Sequence, residues 1–155
     1  MSDDYSDSNS KPKPPAVAPH VVPLELPRNY WRYAQASGDL EHIIDGGIVI
    51  TIVSAGYSGH AEGLNNPDLE HVHSVGPIPR GRWAIGAPHD SDSTGPYSLP
   101  LWPDADTDTH GRSQFLMHGD NYLRNRSASH GCIVLPRRIR ELVHESSDGA
   151  LLVIA

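Results

Sequence analysis

The chain contains one cysteine in 155 residues, so no intramolecular disulfide can staple it. That thiol is therefore a packing residue, a ligand or a reagent. No run of 18 or more apolar residues occurs, which excludes a membrane-spanning helix. Basic residues are in short supply: 12 Lys and Arg stand against 19 Asp and Glu, a formal charge of −7. There is no basic stripe to displace counterions from phosphates, so neither nucleic-acid binding nor attraction to anionic lipid is expected. The opening residues, Met1-Ser2-Asp3-Asp4, lack a positive start followed by an apolar stretch, so no secretory signal peptide is expected. Nor does any internal repeat appear.

What is present divides into two parts. Residues 1–27 are rich in Ser, Asp, Lys and Pro and too poor in apolar side chains to form a core, which predicts a flexible, partly polyproline-like leader. Residues 28–155 read as one domain. Alternation from Tyr30 to Gln35 predicts a strand, as do Leu40–Ile44 and the β-branched run Ile48–Val53, the last expected to be buried. Asp45-Gly46-Gly47 is a hairpin turn. Residues 56–67 form a long loop, and long loops tend to carry function. A turn at Gly76–Gly81 feeds a strand at Arg82–Ile85. Residues 87–110 read as mostly loop, with a short strand at Ser98–Trp102. Gln114–Met117 and Cys132–Leu135 are further strands. Pro136 suits the first position of a helix whose apolar side is Ile139, Leu142 and Val143, with Arg137, Arg138, Arg140 and Glu141 elsewhere on the wheel. Ala150–Ile154 is a last strand. The domain is mainly β with one clear C-terminal helix.

The chemistry concentrates around the cysteine. His118-Gly119 closes one strand, and Ser129-His130-Gly131-Cys132 opens the next, fourteen residues on. If these strands are neighbours, imidazole and thiol meet at one sheet end. A thiol of ordinary pKa is only a few per cent thiolate at pH 7, and an adjacent imidazole that takes its proton lowers that pKa by about one unit or more. Gly131 permits a tight turn, and the consecutive amides of Gly131 and Cys132 suit an oxyanion hole. Two histidines compete for the role of base, His118 and His130. Ser129 either bonds within the turn or caps it.

This Ser129-His130-Gly131-Cys132 segment, preceded by His118-Gly119, resembles the signature of YkuD-type L,D-transpeptidases. Gly76-Pro77-Ile78-Pro79-Arg80-Gly81-Arg82-Trp83-Ala84-Ile85 is similar to a second motif of that family. The similarity is closer still to one branch. Gly56–Gly59, Asn65-Asn66-Pro67, Gly111-Arg112-Ser113 followed by Phe115, and Ser129 to Pro136 resemble the type VI secretion L,D-transpeptidase effectors, antibacterial toxins acting on a neighbour's peptidoglycan. The resemblance implies a YkuD-like catalytic fold with β-sandwich-like sheets, Cys132 as nucleophile, His118 as base and the Gly119 carbonyl orienting the imidazole. It makes His130, with Ser129, a supporting position. Where typical members carry Arg or Asn, this chain has Val134, and Arg112, Arg124 or Arg126 are the replacements for a contact to a substrate carboxylate.

The reaction so implied is attack of Cys132 on a peptidoglycan tetrapeptide stem with loss of the terminal D-alanine, then hydrolysis of the thioester or exchange with a free D-amino acid, without a cofactor. Tyr57, Ser58, Asn65, Asn66 and Arg112 are the expected substrate-holding residues, the first four on loop position and resemblance. The same resemblance implies an immunity protein and a secretion apparatus as partners, synthesis in the cytoplasm and action in the periplasm of a target bacterium. Two other readings compete. In a zinc-dependent wall peptidase, His71 and His73 would share one strand face with His118 or Asp120 as third ligand, although no strong metal-binding spacing occurs. In a non-enzymatic β-rich binding module, Cys132 would be inert.

Overall fold

The structure, a computed structural model, describes residues 26–52 and 56–155. The expected leader therefore lies outside the described residues up to position 25. Ten strands and one α-helix follow in the described chain: β1 Tyr30–Ala34, β2 Leu40–Ile44, β3 Ile48–Ile52, β4 Tyr57–Ser58, β5 Gly81–Ile85, β6 His89–Ser91, β7 Gly95–Pro103, β8 Phe115–His118, β9 Ile133–Val134, α1 Arg137–Glu145 and β10 Ala150–Ile154. The mainly β expectation with a C-terminal helix holds. Among the described residues no helix is long and apolar enough to cross a membrane.

The strands join in one continuous order, β3-β2-β1-β10-β5-β7-β8-β9-β4, with β6 pairing β7. Most pairs are antiparallel. Two are parallel, β1 with β10 and β8 with β9, and parallel neighbours require a crossover between them. In β1 the inward positions, Trp31 and Tyr33, alternate with half-exposed ones, as a strand buried on one face demands. They meet Leu99, Met117, Ile133, Leu151, Val153 and the helical Val143 in a single core. Strands from both halves of the order contribute, so the site-bearing strands are anchored in the same packed interior as the rest.

Three elements differ from the sequence expectation. The run Ile48–Ile52 forms a strand but is not buried: Ile48, Val49 and Ile50 are 54%, 47% and 43% exposed. β-branching specifies extended backbone, whereas burial depends on position in the sheet, and β3 is an edge strand. The stretch read as mostly loop holds β6 and the nine-residue β7, whose Gly and Pro content mimics loop composition. Pro136 is the N-cap of α1 rather than its first residue. Leu99→Ala, at a fully buried site, is expected to cost about 2–5 kcal/mol, whereas Val49→Lys stays within about 1 kcal/mol. Denaturant titration of both variants measures the contrast.

Candidate active site

The β8–β9 ladder sets the chemistry. Met117 pairs with Ile133 and His118 with Val134. Alternation along the strands puts His118 and Cys132, which immediately precedes β9, on one sheet face at diagonal positions. Both line a cavity of about 590 Å³, together with Arg112, Gln114, His130 and Gly131. His118 is 3% exposed, and its Nδ1 lies 2.7 Å from the Gly119 carbonyl oxygen. A carbonyl only accepts, so Nδ1 carries the proton and Nε2 is left as the acceptor. The Cys132 thiol is half-buried and donates to the Gln114 carbonyl at 3.6 Å.

The turn before the cysteine is held by buried hydroxyls. Ser129 Oγ accepts from Gly59 N–H at 2.9 Å and Gly131 N–H at 3.0 Å, and donates to the Cys132 carbonyl at 2.6 Å. The Gly131 amide is thereby occupied, which leaves the Cys132 amide alone of the two expected oxyanion donors. Gly131 has φ +133, and a Cβ there would collide with the Arg112 guanidinium, so only glycine fits. Strand β4 pairs antiparallel with β9, Tyr57 opposite Val134 and Ser58 opposite Ile133.

That pairing buries two of the expected substrate-holding residues, Tyr57 and Ser58. Ser58 is fully buried, donating to the Gly131 carbonyl at 3.2 Å and accepting from Ile78 N–H at 2.8 Å. Tyr57 is 1% exposed, and its hydroxyl donates to Asp120 at 2.7 Å and accepts from Ala128 N–H at 2.9 Å. Asn65 Oδ1 accepts from Ser58 N–H, and Asn66 caps the short 3-10 turn at Pro67–Leu69. Arg112 is 7% exposed and donates to four carbonyls: Glu70, Pro77 at 2.8 Å, Gly76 at 2.9 Å and His130 at 3.2 Å. Tyr57, Ser58 and Arg112 are buried and spend their hydrogen-bonding capacity within the protein, whereas Asn65 and Asn66 are half-exposed. Arg126 lies over the Tyr57 ring, 5.5 Å from its centroid.

The metal-site reading fares no better on geometry. His71 and His73 lie in a turn, not on a strand face; His73 Nε2 meets the His110 carbonyl at 3.0 Å, and His71 packs edge-on against the His110 ring. Among the described residues no group of three or more His, Cys, Asp or Glu is arranged to hold a metal ion. One buried residue escaped the sequence reading. Arg140, expected on the outer side of α1, is 5% exposed and donates to the carbonyls of Leu135, Pro96 and Tyr97. Its spacing of three from Val143 is the only sequence signal, and charge obscured it.

The electrostatics of the two groups follow from their burial. Burial pushes the Cys132 thiol up to about 11, with the Leu116 N–H and the Arg112 charge opposing it less strongly. Burial also lowers the affinity of His118 for a proton, opposed by its bond to Gly119 and reinforced by the Arg140 charge. Both shifts favour the neutral pair at pH 7. Labelling of Cys132 by iodoacetamide should accordingly rise about tenfold per pH unit from pH 7 toward 10, and be slower at pH 7 than in urea. Mass spectrometry follows it; a rate already level between pH 6 and 8 would indicate the ion pair instead.

A profile of the Tlde1 domain matches residues 53–148. The chain belongs to the Tlde1 domain family. That is the branch its motifs resemble, type VI secretion L,D-transpeptidase effectors. Among solved structures the Tlde1 fold is similar to that of Bd1075 from Bdellovibrio bacteriovorus (13% identity, 83% of this chain and 48% of that one, TM-score 0.56). It is also similar to Pgp2, a helical cell shape determining protein from Campylobacter jejuni (14% identity, 84% and 47%, TM-score 0.51). L,D-transpeptidase 1 of Mycobacterium tuberculosis matches at 14% identity over 83% of this chain and 62% of that one, with a TM-score of 0.49. The Tlde1 chain thus spans about half the length of the first two and less than two thirds of the third. No curated protein matches it.

Proposed function

We propose that this Tlde1 chain is a cysteine-dependent L,D-carboxypeptidase and L,D-transpeptidase acting on peptidoglycan tetrapeptide stems, delivered as an antibacterial effector. The observation carrying this reading is the shared cavity of Cys132 and His118, with Nδ1 committed to the Gly119 carbonyl so that Nε2 is free to take a proton. With burial disfavouring both charged forms, His118 acts as a general base while the bond forms. The Cys132 sulfur attacks the carbonyl of the L-centre of the diaminopimelate residue, and the thiol proton passes to Nε2. The tetrahedral oxyanion accepts from the Cys132 amide, which no described residue engages. Collapse breaks the peptide bond, and the imidazolium gives its proton to the departing D-alanine amine. His118 then takes a proton from water or from a D-amino acid amine as that group attacks the thioester, and the proton returns to the sulfur.

Hydrolysis leaves a tripeptide stem and exchange leaves a stem ending in the added D-amino acid. Both consume donor stems, as an antibacterial role requires, and that role implies an immunity protein in producing cells and a secretion apparatus to reach the target periplasm. Incubation with purified tetrapeptide muropeptides, with and without D-methionine, tests the reaction by product mass. Loss of one alanine, or its replacement by methionine, is expected. An unchanged tetrapeptide would end the reading.

A further inference from the structure

A second cavity, of about 610 Å³, is walled by the residues that follow His118 and has no part in the steps above. Its walls include Gly119, Asp120, Arg124, Val134, Arg137 and Arg140. Val134, two residues after Cys132, pairs with His118 across the ladder, and Gly119 follows His118, so this cavity is walled by the immediate neighbours of both residues. Three of these lining residues are arginines and one is acidic. Asp120 Oδ1 already accepts from Tyr57 and from the Asn121 amide. Arg137 shares Glu141 at 3.1 Å and rests over the Tyr97 ring.

Arg140 is the decisive group. Its Nε and Nη1 are spent on the Leu135, Pro96 and Tyr97 carbonyls, which fixes the plane of the guanidinium. Nη2 makes no hydrogen bond among the described residues and points at Gly119, where an added Cβ would lie 2.8 Å from it. A rigid, mostly buried guanidinium with one edge turned into a positively lined cavity is suited to a planar anion with two oxygens.

We infer that this second cavity is a carboxylate-binding subsite in which Arg140, assisted by Arg137 and Arg124, holds a non-reacting carboxylate of the substrate whose carbonyl Cys132 attacks. The inference rests on the tetrapeptide-stem reading for the identity of the ligand, not for the existence of the site. Two sources carry the same group: a carboxylate of the donor stem and that of the D-amino acid acceptor.

The test measures kcat/KM of the full chain on a tetrapeptide stem and on stems with each carboxylate converted in turn to a carboxamide, and compares D-methionine with its amide in exchange. One amidation is expected to lower kcat/KM by about 10- to 100-fold, mainly through KM, and its position names the source. The Arg124→Gln/Arg137→Gln double variant, altered only at exposed side chains, and Arg140→Lys should each reduce that preference to within about threefold. Equal handling of free and amidated substrates by the native protein, or a preference unchanged in these variants, overturns the subsite. Calorimetric titration of the same stems into Cys132→Ala separates the two readings. Carboxylate-dependent binding without any turnover by the native chain upholds the subsite and removes the reaction; binding indifferent to amidation removes the subsite.

Discussion

Cys132→Ala is expected to reduce release of D-alanine from tetrapeptide stems to background, a fall of at least about a thousandfold, while the protein remains folded. The thiol is half-buried and makes only a 3.6 Å contact to the Gln114 carbonyl besides its interaction with the Leu116 N–H, so its loss leaves little uncompensated. His118→Ala should lose about 10²–10⁴ in kcat, the range of a positioned general base. The two variants then part company with pH. Without His118, attack depends on spontaneous ionisation of a thiol raised to about 11, so activity should climb with pH through the alkaline range. The native profile should instead rise through the depressed pKa of His118, below the usual imidazole value, and level off before neutrality. Cys132→Ala should stay silent at every pH. Turnover by Cys132→Ala, measured as product mass over a pH series, would remove the thioester route.

The largest stability effect is expected at Arg112. Its guanidinium gathers the carbonyls of Glu70, Gly76, Pro77 and His130, segments far apart in the chain, and lies 5.3 Å from the Phe115 ring centroid. Removing it strips four acceptors of a charged donor in a buried setting. Each bond of this kind is worth about 1.5–3 kcal/mol, and the values are not additive, so Arg112→Ala should lose about 4 kcal/mol or more. Arg112→Lys keeps the charge but not the planar fork, and should recover less than half of that. Denaturant unfolding measures both. An Arg112→Ala protein of native stability with selectively impaired KM would return Arg112 to the role of substrate contact.

Much of this was legible because local pattern and fold agree. Alternation at Tyr30–Ala34 and apolar runs at Phe115–His118 and Ala150–Ile154 became strands, and the spacing of His118 and Cys132 suited adjacent strand ends. Burial was the weaker inference. Ile48–Ile52 has the composition of a core strand yet lies at an edge, since sheet order is a tertiary property that no window of sequence contains. The burial of two expected substrate-holding residues has a related reason. Tyr57 and Ser58 lie in a polar, turn-rich stretch that reads as an open loop, but β4 zips that stretch onto β9 and turns both hydroxyls inward. Arg112 and Arg140 were misplaced because charge suggests solvent, whereas a guanidinium that meets several carbonyls can be interior.

The parallel pairing of β8 and β9 has a consequence for how such proteins diversify. Neighbouring strands running the same way cannot be joined by a tight turn, so a long connection, here residues 119–132, is obligatory between β8 and β9. Its first half walls one cavity and its last residues wall the other. Insertions or substitutions in the middle of that connection can therefore reshape what is admitted on either side while the ladder keeps imidazole and sulfur in register. The ladder and the span that crosses between its strands are thus separable parts of the fold.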